Sequence, residues 1–158
     1  MTPETFPIRV ATLDDHRAVE SCVHAAFRAW VPLIGIKPLA LTADYEAHIK
    51  RGTTYLVEGS SKDDLAGVLV YWQVDDALYV DILAVNPGYQ KNGLGRRLLT
   101  FAEQKARELG LLKLKLVTNE KMVANQEYYK RFGYVETRRE TFQPGRVGVW
   151  MAKILAAD

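Results

Sequence analysis

The spacing of apolar residues changes several times along the chain, and each change marks an element. A short apolar run at residues 7–11 predicts a strand, and Thr12 followed three residues later by Asp15 offers a helix N-cap with an acidic first turn. Ala18, Val19, Cys22, Val23, Ala26, Phe27 and Trp30 then recur three and four apart, one face of a helix. Pro32, Gly35 and Pro38 break that period, and Thr42 is the expected cap of a second short helix, ADYEAHIKR, ending near Gly52. TTYLVEG, LAGVLVYWQV and LYVDILAV are rich in branched and aromatic residues and separated by polar turns, which predicts a meander of three antiparallel strands. Leu94, Leu98, Ala102, Ala106 and Leu109 restore the helical period as far as Gly110. LLKLKLVT alternates leucine with lysine, as a strand with one wet face does; residues 122–132 are helical again. YVETRRETF and RVGVWMAKI around Pro144 and Gly145 read as a closing hairpin.

This order predicts an α/β fold in one domain spanning residues 1–158, with a mixed, mostly antiparallel sheet flanked by helices. The helix over residues 94–109 is a crossover, so the strand after it should lie parallel to the strand before it. The 158 residues suffice for one substantial core, and 48% hydrophobic with 25% charged residues is ordinary globular usage. A net charge of +2 is too near balance to favour nucleic acid. Cys22 is the one cysteine, which rules out an internal disulfide, and with Val23 and Phe27 it belongs to a helical core. His16, His24 and His48 show no ligand spacing, so no metal is expected. The start, MTPETFPIRV, lacks the basic and apolar regions of a leader, and no apolar run is long enough to cross a membrane; a cytoplasmic protein is expected.

The connection NPGYQKNGLG, residues 86–95, places three glycines between the most strand-like and the most helix-like segments. A strand, a permissive loop and a helix start together present unpaired N–H groups and the positive end of a helix dipole, which suits an anion. Lys91, Arg96 and Arg97 add formal charge. The plainer reading is a strand-to-helix turn with solvated basic residues. A dinucleotide fingerprint fails because Leu98 stands where its third glycine belongs, and a nucleoside triphosphate loop fails at Gly93-Leu94-Gly95.

The spacing Gln90-Lys91-Asn92-Gly93-Leu94-Gly95 resembles the pyrophosphate loop of the GNAT superfamily of N-acetyltransferases, which runs Gln or Arg, two residues, Gly, one residue, Gly or Ala. Downstream, Asn125 and the run Tyr129-Lys130-Arg131-Phe132-Gly133-Tyr134 look like the superfamily's second cofactor helix, and the likeness extends over residues 6–154. It implies a strongly twisted sheet splayed between its fourth and fifth strands, with acetyl-CoA in the gap. The amides of residues 91–96, with Arg96 close by, would hold the pyrophosphate, and Leu83, Ala84 and Val85 would pair with the pantetheine arm. Relatives commonly carry their cofactor asparagine seven residues before the tyrosine, where this chain has Met122, so Asn125 is a displaced candidate.

The chemistry implied is acyl transfer to a primary amine, in the class that moves groups other than aminoacyl groups. Tyr129 stands where the family places a tyrosine beside the cofactor sulfur. Tyrosine titrates near 10 against about 8.5 for a thiol, so hydrogen bonding to the departing thiolate is a better description than full proton transfer. Tyr128 points to another helical face. Asp81 interrupts an apolar strand, where an unpaired carboxylate is costly. It matches a position at which relatives carry a glutamate base, with Glu120 in reserve; pairing with a surface cation is the competing account.

The acceptor should be met by residues 30–39, Tyr45 and the turn at residues 142–146. These are aromatic and apolar, and allow a small-molecule amine or a peptide amine, in a monomer or a homodimer. The rival function is a non-catalytic sensor that binds CoA or another nucleotide.

Overall fold

In the computed structural model, which describes residues 6–157, seven strands form one sheet. Residues 1–5, part of the start expected to lack a leader, and residue 158 lie outside the described residues. The strands are β1 (Ile8–Val10), β2 (Thr54–Ser61), β3 (Asp64–Val74), β4 (Ala77–Val85), β5 (Lys113–Asn119), β6 (Val135–Gln143) and β7 (Arg146–Ile154). They lie in the order β1-β2-β3-β4-β5-β7-β6. The helices are α1 (His16–Arg28), α2 (Val31–Ile34), α3 (Tyr45–Lys50), α4 (Leu94–Glu108) and α5 (Val123–Arg131). All strand pairs are antiparallel except β4 with β5, which the crossover helix α4 brings parallel. The α/β class and the mixed sheet are those expected.

Both faces of the sheet's centre are covered, so β3 is buried without a break from Leu65 to Tyr71 rather than alternating. On one face Val19, Cys22 and Val23 of α1 pack against Leu56, Val68, Val70 and Ile82. On the other, Leu94, Leu98, Leu99 and Ala102 of α4 pack against Val57, Leu69, Leu78 and Val80. Leu109, expected on that apolar face, follows the last residue of α4 and is exposed. Strand β6 forms the outer edge and is exposed along nearly its whole length, its arginines and glutamates solvating groups that would otherwise invite pairing.

The expected Thr12 cap and acidic turn belong to a single 3-10 turn, Leu13–Asp15, and α1 follows from His16. Thr12 N–H donates to Asp15 Oδ2 at 2.8 Å, and Asp15 is buried beside Arg9 at 2.9 Å. The Arg9 hydrogen bond holds that carboxyl down to about 2. The second cap differs from expectation: Asp44, not Thr42, accepts from Ala47 N–H at 3.1 Å, while the Thr42 hydroxyl turns back to the Leu39 carbonyl. A carboxylate one step from the first turn outcompetes a hydroxyl further back. Cys22 is buried in the α1 core as expected, and burial pushes its thiol up to about 12. Among the described residues, no helix is long and apolar enough to cross a membrane.

Candidate active site

The loop between β4 and α4 is tied down along its length. Asn86 Oδ1 accepts from Gly88 N–H at 3.1 Å, and its Nδ2 donates to the Leu65 carbonyl at 3.1 Å. The Tyr89 hydroxyl donates to Asp64 Oδ2 at 2.6 Å and accepts from Ser60 N–H at 2.8 Å. Gly59 makes room for that hydroxyl, since a Cβ there would lie 2.4 Å from it. Gln90 donates to the Val85 carbonyl and Asn92 to the Tyr89 carbonyl. Lys91 and Gly93 both take the left-handed conformation, at φ +70° and +74°. Alternation between left- and right-handed residues turns successive N–H groups to one side, as in an anion-binding nest. Among the described residues, no main-chain acceptor takes a hydrogen bond from the amides of residues 91–96.

Where β4 should run beside β5, it does so for two register pairs only, Leu78 with Leu114 and Tyr79 with Lys115. The strands then part. The parting coincides with a register shift between β3 and β4: Val70 faces Ile82 and Tyr71 faces Val80, leaving Asp81 as the extra residue. A bulge of this kind bends its strand and re-aims a side chain. It opens onto a cavity of about 440 Å³ whose walls include Asp81 and Leu83 from β4, Thr118 and Asn119 from β5, and Asn125 and Tyr129 from α5. Asn125 and Tyr129, four residues apart, share one helix face as expected.

The other expected residues lie apart from the cavity. Ala84 is buried in the core beneath α1, and Val85 packs on the α4 side. Asn92, Gly93 and Arg96 border a separate hollow with Ile8 and Thr100. Glu120, the reserve base, is not in the cavity wall; its carbonyl accepts from buried Gln126 at 2.9 Å. Tyr128 does occupy another face from Tyr129, but that face is not idle. A Cβ on Gly95 would lie 2.4 Å from the Tyr128 hydroxyl, so α5 rests on the first turn of α4 at the loop. Tyr45, expected at the acceptor mouth, is wholly buried with its hydroxyl on the Ala40 carbonyl; Ile34, Pro38, Leu39 and Phe142 do line the cavity.

Burial pushes the Tyr129 hydroxyl above its usual range, so it remains a proton donor at neutral pH. Burial also lifts Asp81 to about 6, against the opposing charge of Arg51 and a hydrogen bond from Tyr79. His48 is moved the other way, downward, by burial and then by the Arg51 charge. Its Nδ1 lies 3.1 Å from Arg51 Nη1, and its Nε2 lies 3.7 Å from Asp81 Oδ2. With the imidazole kept neutral and the separation beyond hydrogen-bond length, this contact is not an ion pair at neutral pH. His48 stacks on Trp72 at 5.5 Å, and Trp72 meets Tyr79 across the β3–β4 ladder at 5.3 Å. His48, Trp72 and Tyr79 were not singled out from the sequence. Tyr79 alone carried a usable signal, lying two residues before Asp81 on the same strand.

A parted sheet with a loop of unpaired amides at its edge and a buried tyrosine inside is the arrangement that the resemblance to the GNAT superfamily implies. Residues 19–134 match the acetyltransferase (GNAT) family, and the chain belongs to it. It is an acyltransferase, as the loop and the Tyr129 region implied. Similar solved structures include the PaiA N-acetyltransferase from Thermoplasma acidophilum in complex with coenzyme A, at 16% identity and a TM-score of 0.75, covering 95% of this chain and 99% of that one. The ribosomal-protein-S18-alanine N-acetyltransferase from Escherichia coli matches at 20% identity and 0.73, covering 96% of each chain. A GNAT family acetyltransferase from Elizabethkingia anophelis with acetyl-CoA bound matches at 18% identity and 0.60, covering 70% of this chain and 80% of that one. At these identities the likeness is one of fold. No curated protein matches the chain in sequence.

Proposed function

We propose that this domain moves the acetyl group of acetyl-CoA to a primary amine by direct attack. The observation that carries the reading is that Asp81, Asn125 and Tyr129 meet around one cavity, at the point where β4 and β5 part. The residues present fit the coenzyme. Amides of residues 91–96 have no other acceptor among the described residues, and beyond Tyr79 the β5-facing edge of β4 is released for an extended arm. When bound, the coenzyme supplies an activated acetyl thioester.

The protein's own groups then divide the work. Gln90, Lys91, Asn92, Gly93, Leu94, Gly95 and Arg96 grip the diphosphate through main-chain amides and the start of α4. Leu83, Ala84 and Val85 offer main-chain groups to the pantetheine arm and an N–H to the carbonyl oxygen under attack. Asn125 stands one helical turn from Tyr129 and holds the acyl end in place. Ionised above pH 6, Asp81 takes a proton from the entering ammonium. As the amine N–C bond forms and the C–S bond breaks, the Tyr129 O–H hydrogen-bonds the departing thiolate, which takes up the second proton released from the amine nitrogen.

The test is thermal stabilisation by acetyl-CoA compared with NAD and ATP, followed by thiol release across a panel of amines. Stabilisation by acetyl-CoA with release for at least one amine is expected. Stabilisation without release for any amine would defeat the catalytic reading in favour of a sensor.

A further inference from the structure

The proposed reaction leaves one charged residue of the cavity without a task. Arg146 opens β7 directly after the Pro144-Gly145 turn and lines the same cavity as Asp81 and Tyr129. Its Nη2 donates to the Lys37 carbonyl at 2.8 Å, which ties the hairpin turn to the segment after α2 and fixes the guanidinium. Its Nε–H is enclosed and has no acceptor among the described residues. Nor does any carboxylate among them pair with this side chain. A guanidinium keeps its charge and carries five N–H donors in a rigid fork; with Nε closed off and Nη2 on the Lys37 carbonyl, the donors left to a ligand are those of the Nη edge. The group that best answers such a fork is a carboxylate, taken through two parallel bonds.

The rest of the cavity narrows the ligand further. The lining groups that can carry charge near neutral pH are Asp81, His48 and Arg146, since burial keeps the Tyr79 and Tyr129 hydroxyls protonated, and His48 is held neutral. One anion and one cation therefore face the same space from different strands. Much of the remaining lining is apolar, including Ile34, Leu39 and Phe142, with Thr118, Asn119 and Asn125 among the polar exceptions. The Phe142 ring folds over Gly148, where a Cβ would lie 2.5 Å from it, and gives the cavity a half-exposed aromatic wall. At about 440 Å³ the cavity is in the range of small-molecule sites. From the placement of Asp81 on β4 and Arg146 on β7 around one cavity, we propose that the acceptor is a free amino acid with an apolar side chain. Its carboxylate lies on Arg146, its amine beside Asp81 and its side chain against Phe142 and Leu39. This rests on the acetyl transfer proposed above.

Two readouts test it and keep the two readings apart. Phenylalanine and leucine are compared as acceptors with their carboxamides by thiol release, and the N-acetylated acids are compared with their carboxamides by calorimetric binding. The acids are expected to exceed the amides by about 10–100-fold in kcat/KM, through KM, the size of a lost charge-assisted bond. Arg146→Gln should erase that preference and Arg146→Lys should restore part of it, with stabilisation by acetyl-CoA confirming that each variant is folded. Amides used as well as acids, or an undiminished preference in Arg146→Gln, would overturn the carboxylate assignment while leaving acetyl transfer in place. Preferential binding of the N-acetylated acids without thiol release from any amine would support the Arg146 site and remove the transferase reading. Neither binding preference nor release would remove both.

Discussion

Replacing Asp81 by asparagine should stabilise the protein at neutral pH while slowing it. Burial raises the carboxyl from 3.8 to about 6 in the folded protein. A folded-state value above the unfolded one means that the protonated form is favoured on folding. The contribution is therefore complete below pH 4 and lost as pH rises through about 6. At roughly 1.4 kcal/mol per unit, ionising Asp81 costs the folded state up to about 3 kcal/mol at pH 8. The side chain retains 23% exposure, so about 1–3 kcal/mol is the realistic range. Asparagine has nearly the same shape and no charge, so Asp81→Asn should match the parent near pH 4 and exceed it by that amount at pH 8. Urea unfolding at pH 4, 6 and 8 measures this directly. In the same variant the rise of kcat/KM with pH through about 6 should vanish. A stability difference that does not change with pH, or no gain at pH 8, would refute the account of Asp81 as a buried, strained base.

Tyr129→Phe should lower kcat by about 100-fold and leave the acetyl-CoA Kd nearly unchanged, as thiol release and calorimetry would report. Gly95→Ala should cost about 1–3 kcal/mol and weaken acetyl-CoA binding, because its methyl group meets the Tyr128 hydroxyl. Adding Tyr128→Phe should recover part of both losses, since the nearest remaining ring atom stands 3.4 Å away; melting curves of the three variants test the coupling. Cys22, buried and with its thiol pushed up to about 12, should resist aromatic disulfide reagents in the native protein and react fully in denaturant.

What could be read from the chain alone was whatever is local to it. The loop at residues 86–95 announces itself because glycines, basic residues and a helix start are consecutive, and Tyr129 is fixed by its distance from Gly133 and Tyr134. Asp81 stood out because a carboxylate in an apolar strand is costly. Residues joined only by folding could not be seen. Arg146 lines the same cavity as Asp81 because β7 lies next to β5, an order that no spacing encodes. His48 reaches Trp72 because α3 lies against β3 and β4. Tyr45 was misplaced for a related reason: an aromatic residue next to a loop looks like a mouth residue until the Ala40 carbonyl is found to take its hydroxyl. Helical periodicity separated Tyr128 from Tyr129 correctly, yet it could not say that α4 stands against the other side.

The two rungs joining β4 to β5 make the sheet mechanically uneven. Four strands on one side and three on the other share backbone pairing only at Leu78–Leu114 and Tyr79–Lys115, the rest of their joint being side chains of the core beneath α4. Amide protons of β2 to β4 and of β5 to β7 should then exchange with deuterium as separate cooperative blocks in the free protein. A molecule lodged in the notch would rivet the two sides together, and the slower block should gain less protection from it than the faster one.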